Sequence, residues 1–285
     1  MKLCRFENPA GQRRIGLVLD DAAVLDLTSK GVETISGLLE SENFPDRLAQ
    51  LAQEPAPRYP IQEIRLLAPI ESQEVWAVGV TYLRSKKARM EESEFSANAY
   101  DKVYDAPRPE LFFKALPSKV VGPGGAVGIR KDARWSVPEP ELALVLNSRG
   151  RVVGYTVGND MSSRDIEGEN LLYLPQAKIY DGSCAVGPFI TVGASEADAR
   201  KWKINIVIER KDAAIFQGEV SVNQIKRSFD EMAGYLFRSQ TFKEGAILLT
   251  GTGIVPPDHF TLEPADRVRI TISGIGILEN NVVLV

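Results

Sequence analysis

The acidic stretch Pro138-Glu139-Pro140-Glu141 runs directly into the apolar segment Leu142–Leu146. On a strand, Glu139 and Glu141 stand two positions apart and project from the same face. The apolar strand body buries that face, and two carboxylates close together in a low-dielectric setting repel. Either one is protonated or a cation sits between them. Some twenty residues on, within Tyr155–Asp165, a second apolar run ends in Asn159-Asp160. With Asp160 as third carboxylate, the pattern fits an all-oxygen site for a hard cation, Mg²⁺ or Mn²⁺, with positions left for water and substrate. A Glu-x-Glu pair alone is equally well explained as an acidic surface; the strand context on both sides favours the metal.

The residues that are missing narrow the chemistry further. His259 is the only histidine among 285 residues, so a poly-histidine metal site within one chain is excluded and any Ser-His-Asp mechanism must use that residue. His259 follows Pro256-Pro257-Asp258 and reads as a surface or capping residue. Acid–base work therefore falls to carboxylates, lysine or metal-bound water. Cys4 and Cys184 stand alone, which gives neither a disulfide framework nor a cysteine zinc site and fits a reducing compartment. A formal charge of −4 offers no general attraction for nucleic acid or anionic lipid. With no signal-peptide core near Met1 and no apolar run of membrane-spanning length, the expectation is a cytoplasmic soluble protein.

Those residues need elements to position them. Residues 1–65 read as a small N-terminal domain: a hairpin of Arg14–Leu19 and Ala22–Leu27 around Asp20-Asp21, then helical spacing over Thr34–Leu51 that Pro45 divides into two short helices. The proline-rich Glu54–Pro60 marks the linker. Residues 66–285 form the second domain. Strands are expected at Leu66–Pro69, Val75–Val80, Leu111–Phe113, Glu141–Leu146, Val152–Val157, Ile204–Glu209, Ala246–Thr250 and Arg267–Ile272. Only Ile166–Tyr173 and Val222–Phe237 look helical there, so the fold class is β-rich α+β. Tyr82–Phe95 is either a solvated helix with Lys-to-Glu pairs or a lid carrying Arg84 or Arg89 towards an anionic substrate. Gly274-Ile275-Gly276 and Gly122–Gly125 lack the context of nucleotide motifs and read as turns. Thr252, between two glycines, offers a hydroxyl and N–H groups to a substrate carboxylate, or simply makes a turn.

The ordered set Glu139-x-Glu141, Gly154-Tyr155-Thr156-Val157-x-Asn159-Asp160-x-Ser162-x-Arg164-Asp165, Lys178, Gly187-Pro188 and Thr250-Gly251-Thr252 resembles the fumarylacetoacetate hydrolase superfamily over roughly residues 70–285. The resemblance implies a mixed β-roll core and a divalent metal on Glu139, Glu141 and Asp160. It also implies a chelating 2-oxo acid ligand, and Lys178 and Arg164 at or near the site. Arg108–Lys114, with Tyr82, Ser85 and Ala88-Arg89, looks most like the 2-keto-3-deoxy-D-arabinonate dehydratases of that superfamily, where Glu110 and Lys178 stand at the proton-transfer positions. The His–Glu pair with which hydrolase members orient water is absent, since no histidine precedes residue 259.

The expected activity is thus dehydration of a 2-keto-3-deoxy sugar acid with Mg²⁺, giving 2-oxoglutarate semialdehyde from a five-carbon substrate. The rivals are an acylpyruvate or 2,4-diketo acid hydrolase on the same scaffold and a non-catalytic sugar-acid-binding protein. Arg164 either contacts substrate or ties down its own loop, and Arg89 is a further substrate-binding candidate. The resemblance also implies a homodimer or homotetramer.

Overall fold

In the computed structural model, which describes residues 1–20, 22–92 and 102–285 without the side chains of residues 88, 89, 91 and 92, two sheets stack on a shared core. The larger sheet runs Arg58–Pro60, Ala23–Asp26, Arg13–Leu19, Lys2–Glu7, Cys184–Thr191, Val152–Asp160, Pro140–Leu146, Ala246–Leu249, Glu74–Gly79 and Glu110–Ala115, with Arg65–Leu67 also paired to Lys2–Glu7. Its neighbours are antiparallel except Ala246–Leu249 beside Glu74–Gly79. The smaller sheet runs Ala213–Ser221, Lys203–Arg210, Arg267–Ile272, Gly276–Leu284 and Ala126–Ile129. The protein is a mixed, sheet-rich fold, as the strand spacing implies, with some short helices, among them Leu174–Lys178 and Glu196–Ala199 beyond those expected.

Strand Pro140–Leu146 lies at the centre and is buried along its whole length, which explains its unbroken apolar run. Leu142, Leu144 and Leu146 pack with Ile204, Ile206, Val268 and Ile270 of the smaller sheet. Ala143 and Val145 face the opposite way, into a second cluster with Leu3, Ile15, Ile35, Leu38 and Leu48 of the N-terminal region. Glu139 and Glu141 share the odd-numbered face of Ala143 and Val145, so the acidic pair emerges where that second cluster ends.

Several boundaries differ from the sequence reading for local reasons. Thr34–Leu51 does form two helices, Ile35–Glu40 and Phe44–Gln53, but Pro45 sits in the first turn of the second rather than between them, where its missing N–H costs nothing. Val222–Phe237 is not one helix: Val222–Gln224 is a single 3-10 turn, and Ser228 starts a separate helix, Phe229–Phe237, by accepting from Glu231 N. Asn170 splits the expected Ile166–Tyr173 helix by capping Leu172 N, leaving the helix Arg164–Glu169 and a 3-10 turn. Helix Leu83–Glu92 covers most of the helix expected over Tyr82–Phe95; the rest of that segment to Phe95, and Asp21 of the hairpin turn, lie outside the described residues. Glu54–Pro60 contributes the edge strand Arg58–Pro60 to the sheet.

Candidate metal centre and active-site cleft

The antiparallel pairing of Pro140–Leu146 with Val152–Asp160 aligns Pro140 with Asn159 and Glu141 with Gly158. One step further, Asp160 N donates to Glu139 O at 3.0 Å. Asp160 and Glu139 are therefore opposite neighbours on one face, and Glu141 is the next residue along it. Glu139, Glu141 and Asp160 each offer an oxygen within 4.8 Å of the others, and all three are buried.

Buried cations and donors surround them. Lys178, at the end of helix Leu174–Lys178, places Nζ 2.8 Å from Glu139 Oε2, 3.2 Å from Asp160 Oδ2 and 2.6 Å from Ser162 Oγ. Arg164 Nη1 donates to Glu139 Oε1 at 2.9 Å. Lys114 Nζ lies 2.5 Å from Asp160 Oδ1 and donates to Met161 O at 2.9 Å. The N–H of Gly251 donates to Glu141 Oε2 at 2.5 Å. Gly251 has φ +88°, and a side chain there would collide with Thr81, so only glycine turns the backbone N–H onto the carboxylate without strain.

A small cleft opens over the triad, lined by Gly79, Val80, Ser85, Glu110, Phe112, Glu167, Lys178, Gly251 and Thr252 as well as the three carboxylates. Glu110 reaches it from the edge strand, where it pairs with Gly79. Its carboxylate occupies the space that a Cβ on residue 79 would fill. Val80, beside it, adopts φ +52°, a strained conformation for a β-branched residue.

The charge inventory tests whether a cation belongs here. Glu110, Glu139, Glu141, Asp160 and Glu167 meet Lys114, Lys178 and Arg164, which leaves two formal negative charges among these residues; one divalent ion offsets them. Glu141 reports the same imbalance. Burial raises its pKa well above the ordinary 4.5, and the neighbouring Asp160 and Glu139 carboxylates raise it further. Three buried carboxylates with this surplus suit a hard divalent cation.

The structure brings Glu110, Lys178, Thr252 and the three carboxylates into one cleft. Arg164 stands behind it, with its guanidinium against Glu139 and 5.7 Å from the ring centre of Trp135, where it braces one carboxylate of the triad. Arg89 falls in helix Leu83–Glu92, and its side chain lies outside the described residues. His259 is exposed and away from the cleft lining. Sequence reasoning missed Lys114, Ser162 and Glu167. Lys114 had a signal: Glu110, Phe112 and Lys114 alternate on one strand face, and a lysine pointing inward with an aromatic residue calls for buried carboxylates.

A family profile described as fumarylacetoacetate (FAA) hydrolase C-terminal matches residues 74–283. A probable 2-keto-3-deoxyxylonate dehydratase of Haloferax volcanii is 50% identical over 217 residues, covering 76% of this chain and 74% of that protein. The 2-dehydro-3-deoxy-D-arabinonate dehydratase of Saccharolobus solfataricus is 40% identical over 266 residues, covering 92% of this chain and 89% of the relative. The solved structure of 2-keto-3-deoxy-D-arabinonate dehydratase complexed with magnesium and 2,5-dioxopentanoate superposes with a TM-score of 0.85 at 36% identity, over 100% of this chain and 99% of that one. With its two stacked sheets and its buried acidic triad, the chain belongs to the fumarylacetoacetate hydrolase family.

Proposed function

We propose that the protein is a metal-dependent hydro-lyase that dehydrates a 2-keto-3-deoxy sugar acid of the 2-keto-3-deoxy-D-arabinonate type, with Glu139, Glu141 and Asp160 holding Mg²⁺ or Mn²⁺. The dehydratase names of the relatives and the magnesium and 2,5-dioxopentanoate in the related structure support this reading. The observation that carries it is the convergence of Glu110 and Lys178, from separate elements, on the cleft over the triad. A divalent ion bound there supplies Lewis acidity to a chelated 2-oxo acid and acidifies its C3 hydrogens.

The chain's own groups handle the protons. Dehydration removes a proton from C3 and delivers one to the departing C4 hydroxyl; Glu110 and Lys178 are the acid–base pair for these two transfers. The carboxylates of Glu139 and Asp160 and the hydroxyl of Ser162 fix the position of Lys178 Nζ, and the close seat over Gly79 fixes Glu110. Thr252, through its hydroxyl and its own N–H, receives the substrate carboxylate. Loss of water and tautomerisation convert a five-carbon substrate into 2,5-dioxopentanoate, which is 2-oxoglutarate semialdehyde. With the only histidine outside the cleft, the water-orienting pair of a C–C hydrolase has no counterpart here.

No helix among the described residues is long and apolar enough to cross a membrane, and two buried free thiols support a cytoplasmic setting. The homodimer or homotetramer expected from the family resemblance is tested by light scattering. The activity is tested by incubating the protein with 2-keto-3-deoxy-D-arabinonate and Mg²⁺ and following product mass. Loss of a single water with appearance of an aldehyde is expected; two carbon fragments would make the protein a hydrolase, and unconsumed substrate would overturn the reading.

A further inference from the structure

Lys178 reaches one oxygen each of Glu139 and Asp160 from within the cleft, and one oxygen of every triad carboxylate is held by another group. Arg164 Nη1 holds Glu139 Oε1 at 2.9 Å, Gly251 N holds Glu141 Oε2 at 2.5 Å, and Lys114 Nζ holds Asp160 Oδ1 at 2.5 Å. We infer that Lys114 is a positioning residue that restricts Asp160 to ligation through a single oxygen and so sets which divalent ion the centre prefers. The inference rests on the metal-dependent reading above and deepens it.

Lys114 suits that role better than a surface lysine could. Its side chain is fully buried; it donates to the carbonyls of Met161 and Lys178 and forms an ion pair with Asp160. Two carbonyl acceptors and one carboxylate, from three positions of the chain, surround the ammonium and leave it no room to swing. Asp160 cannot turn its second oxygen towards an ion without giving up that buried pair, which is costly when one charge is left uncompensated. Arg164 and Gly251 impose the same limit on the other two carboxylates. Mg²⁺ requires near-octahedral coordination and keeps several waters, whereas Ca²⁺ accepts more oxygens and readily takes both from one carboxylate. Three single-oxygen carboxylates fill half of an octahedral shell and leave the other half to water and a chelating substrate. The clamp therefore biases the site towards the smaller ion.

The test compares Mg²⁺ and Ca²⁺ affinities by calorimetry in the wild-type protein, Lys114→Met and Lys114→Gln. Removing the lysine charge strengthens attraction for both ions, so the ratio of the two affinities is the informative quantity. Lys114→Met is expected to shift that ratio towards Ca²⁺ by about 10–100-fold, the range typical for residues that orient metal ligands. Lys114→Gln, whose amide can still donate to Oδ1, is expected to stay much closer to wild type. An unchanged ratio in Lys114→Met overturns the proposal. A measurement on wild type alone serves if the variants do not fold: with Mn²⁺ bound and no substrate, broadening of the spin-resonance spectrum by isotopically labelled water counts the coordinated waters. Water over half of the octahedral shell supports the clamp; a smaller share, with carboxylates chelating through both oxygens, overturns it. Wild-type protein that binds neither ion overturns the metal reading itself.

Discussion

Lys178 Nζ lies 2.8 Å from Glu139 Oε2 and 3.2 Å from Asp160 Oδ2, so its ammonium and an ion held by those carboxylates compete for the same negative charge. Replacing Lys178 by Met removes one competitor and one proton carrier together. Mg²⁺ affinity is expected to rise several-fold while turnover falls roughly 10²–10⁴-fold, the usual contribution of an acid–base group. Calorimetry and steady-state rates separate the two effects. If metal affinity falls along with turnover, Lys178 serves to organise the carboxylates instead.

Gly79 and Glu110 face each other across antiparallel strands, and the Glu110 carboxylate lies where a side chain at residue 79 would begin. Gly79→Ala should therefore displace Glu110 without touching the metal ligands. A displacement of about 1 Å at a reacting group costs on the order of 10²-fold in rate, so kcat is expected to fall by that order while Mg²⁺ affinity stays unchanged. Glu110→Gln should also spare metal binding and cost roughly 10²–10⁴-fold in turnover. A Gly79→Ala protein with full kcat would remove the requirement for a tightly seated Glu110.

The acidic triad was readable from sequence because two simple periodicities produce it. Glu139 and Glu141 alternate on one strand, and Asp160 ends the strand that pairs with it, so face and register follow once both strands are recognised. Lys114 and Arg164 were harder to place. Their partners lie 46 and 25 positions away in the chain, and pairing at that distance depends on how strands are ordered in the sheet, which hydrophobic pattern does not specify. The split helices at Asn170 and Ser228 have a local cause that was visible: both residues are good caps, but an apolar period running through them masked the break. The order of strands, with Lys2–Glu7 hydrogen-bonded to Cys184–Thr191, was not legible at all, since such long-range pairing leaves no local signature.

Cys4 and Cys184 are buried, and burial pushes each thiol up to about 12. Thiolate is the reactive form, so a disulfide-exchange reagent at about pH 8 is expected to label neither cysteine in the folded protein and both after denaturation. Rapid labelling of the native protein would show that these strands open readily. The same shift has a stability consequence. An acid whose folded pKa exceeds its ordinary value, here 9.0, leaves stability intact below that value and reduces it as pH rises towards the folded one. Denaturant midpoints are thus expected to fall in alkaline buffer above about pH 9, and less so in a Cys4→Ala, Cys184→Ala double variant.

Glu141 and Asp160 are both triad carboxylates, yet their neutralisation should move stability in opposite directions. Burial and the like charges of Asp160 and Glu139 raise the Glu141 pKa well above 4.5. Its contribution to the stability of the metal-free protein is complete below the unfolded value and is lost as pH rises through the folded one. Ionised Glu141 is also what a cation requires, so proton and metal compete, and the rise in Tm caused by Mg²⁺ should grow from about pH 5 to about pH 8. Glu141→Gln relieves the repulsion and is expected to raise the metal-free Tm at neutral pH while abolishing the Mg²⁺ shift and turnover. Asp160→Asn instead strips buried Lys114 and Lys178 of a shared partner. Breaking such a buried pair costs about 3–5 kcal/mol, so this variant should melt lower than wild type and also lose the Mg²⁺ response. Differential scanning calorimetry of the two variants decides the matter: Tm changes of the same sign would contradict the charge balance that makes this cluster a cation site.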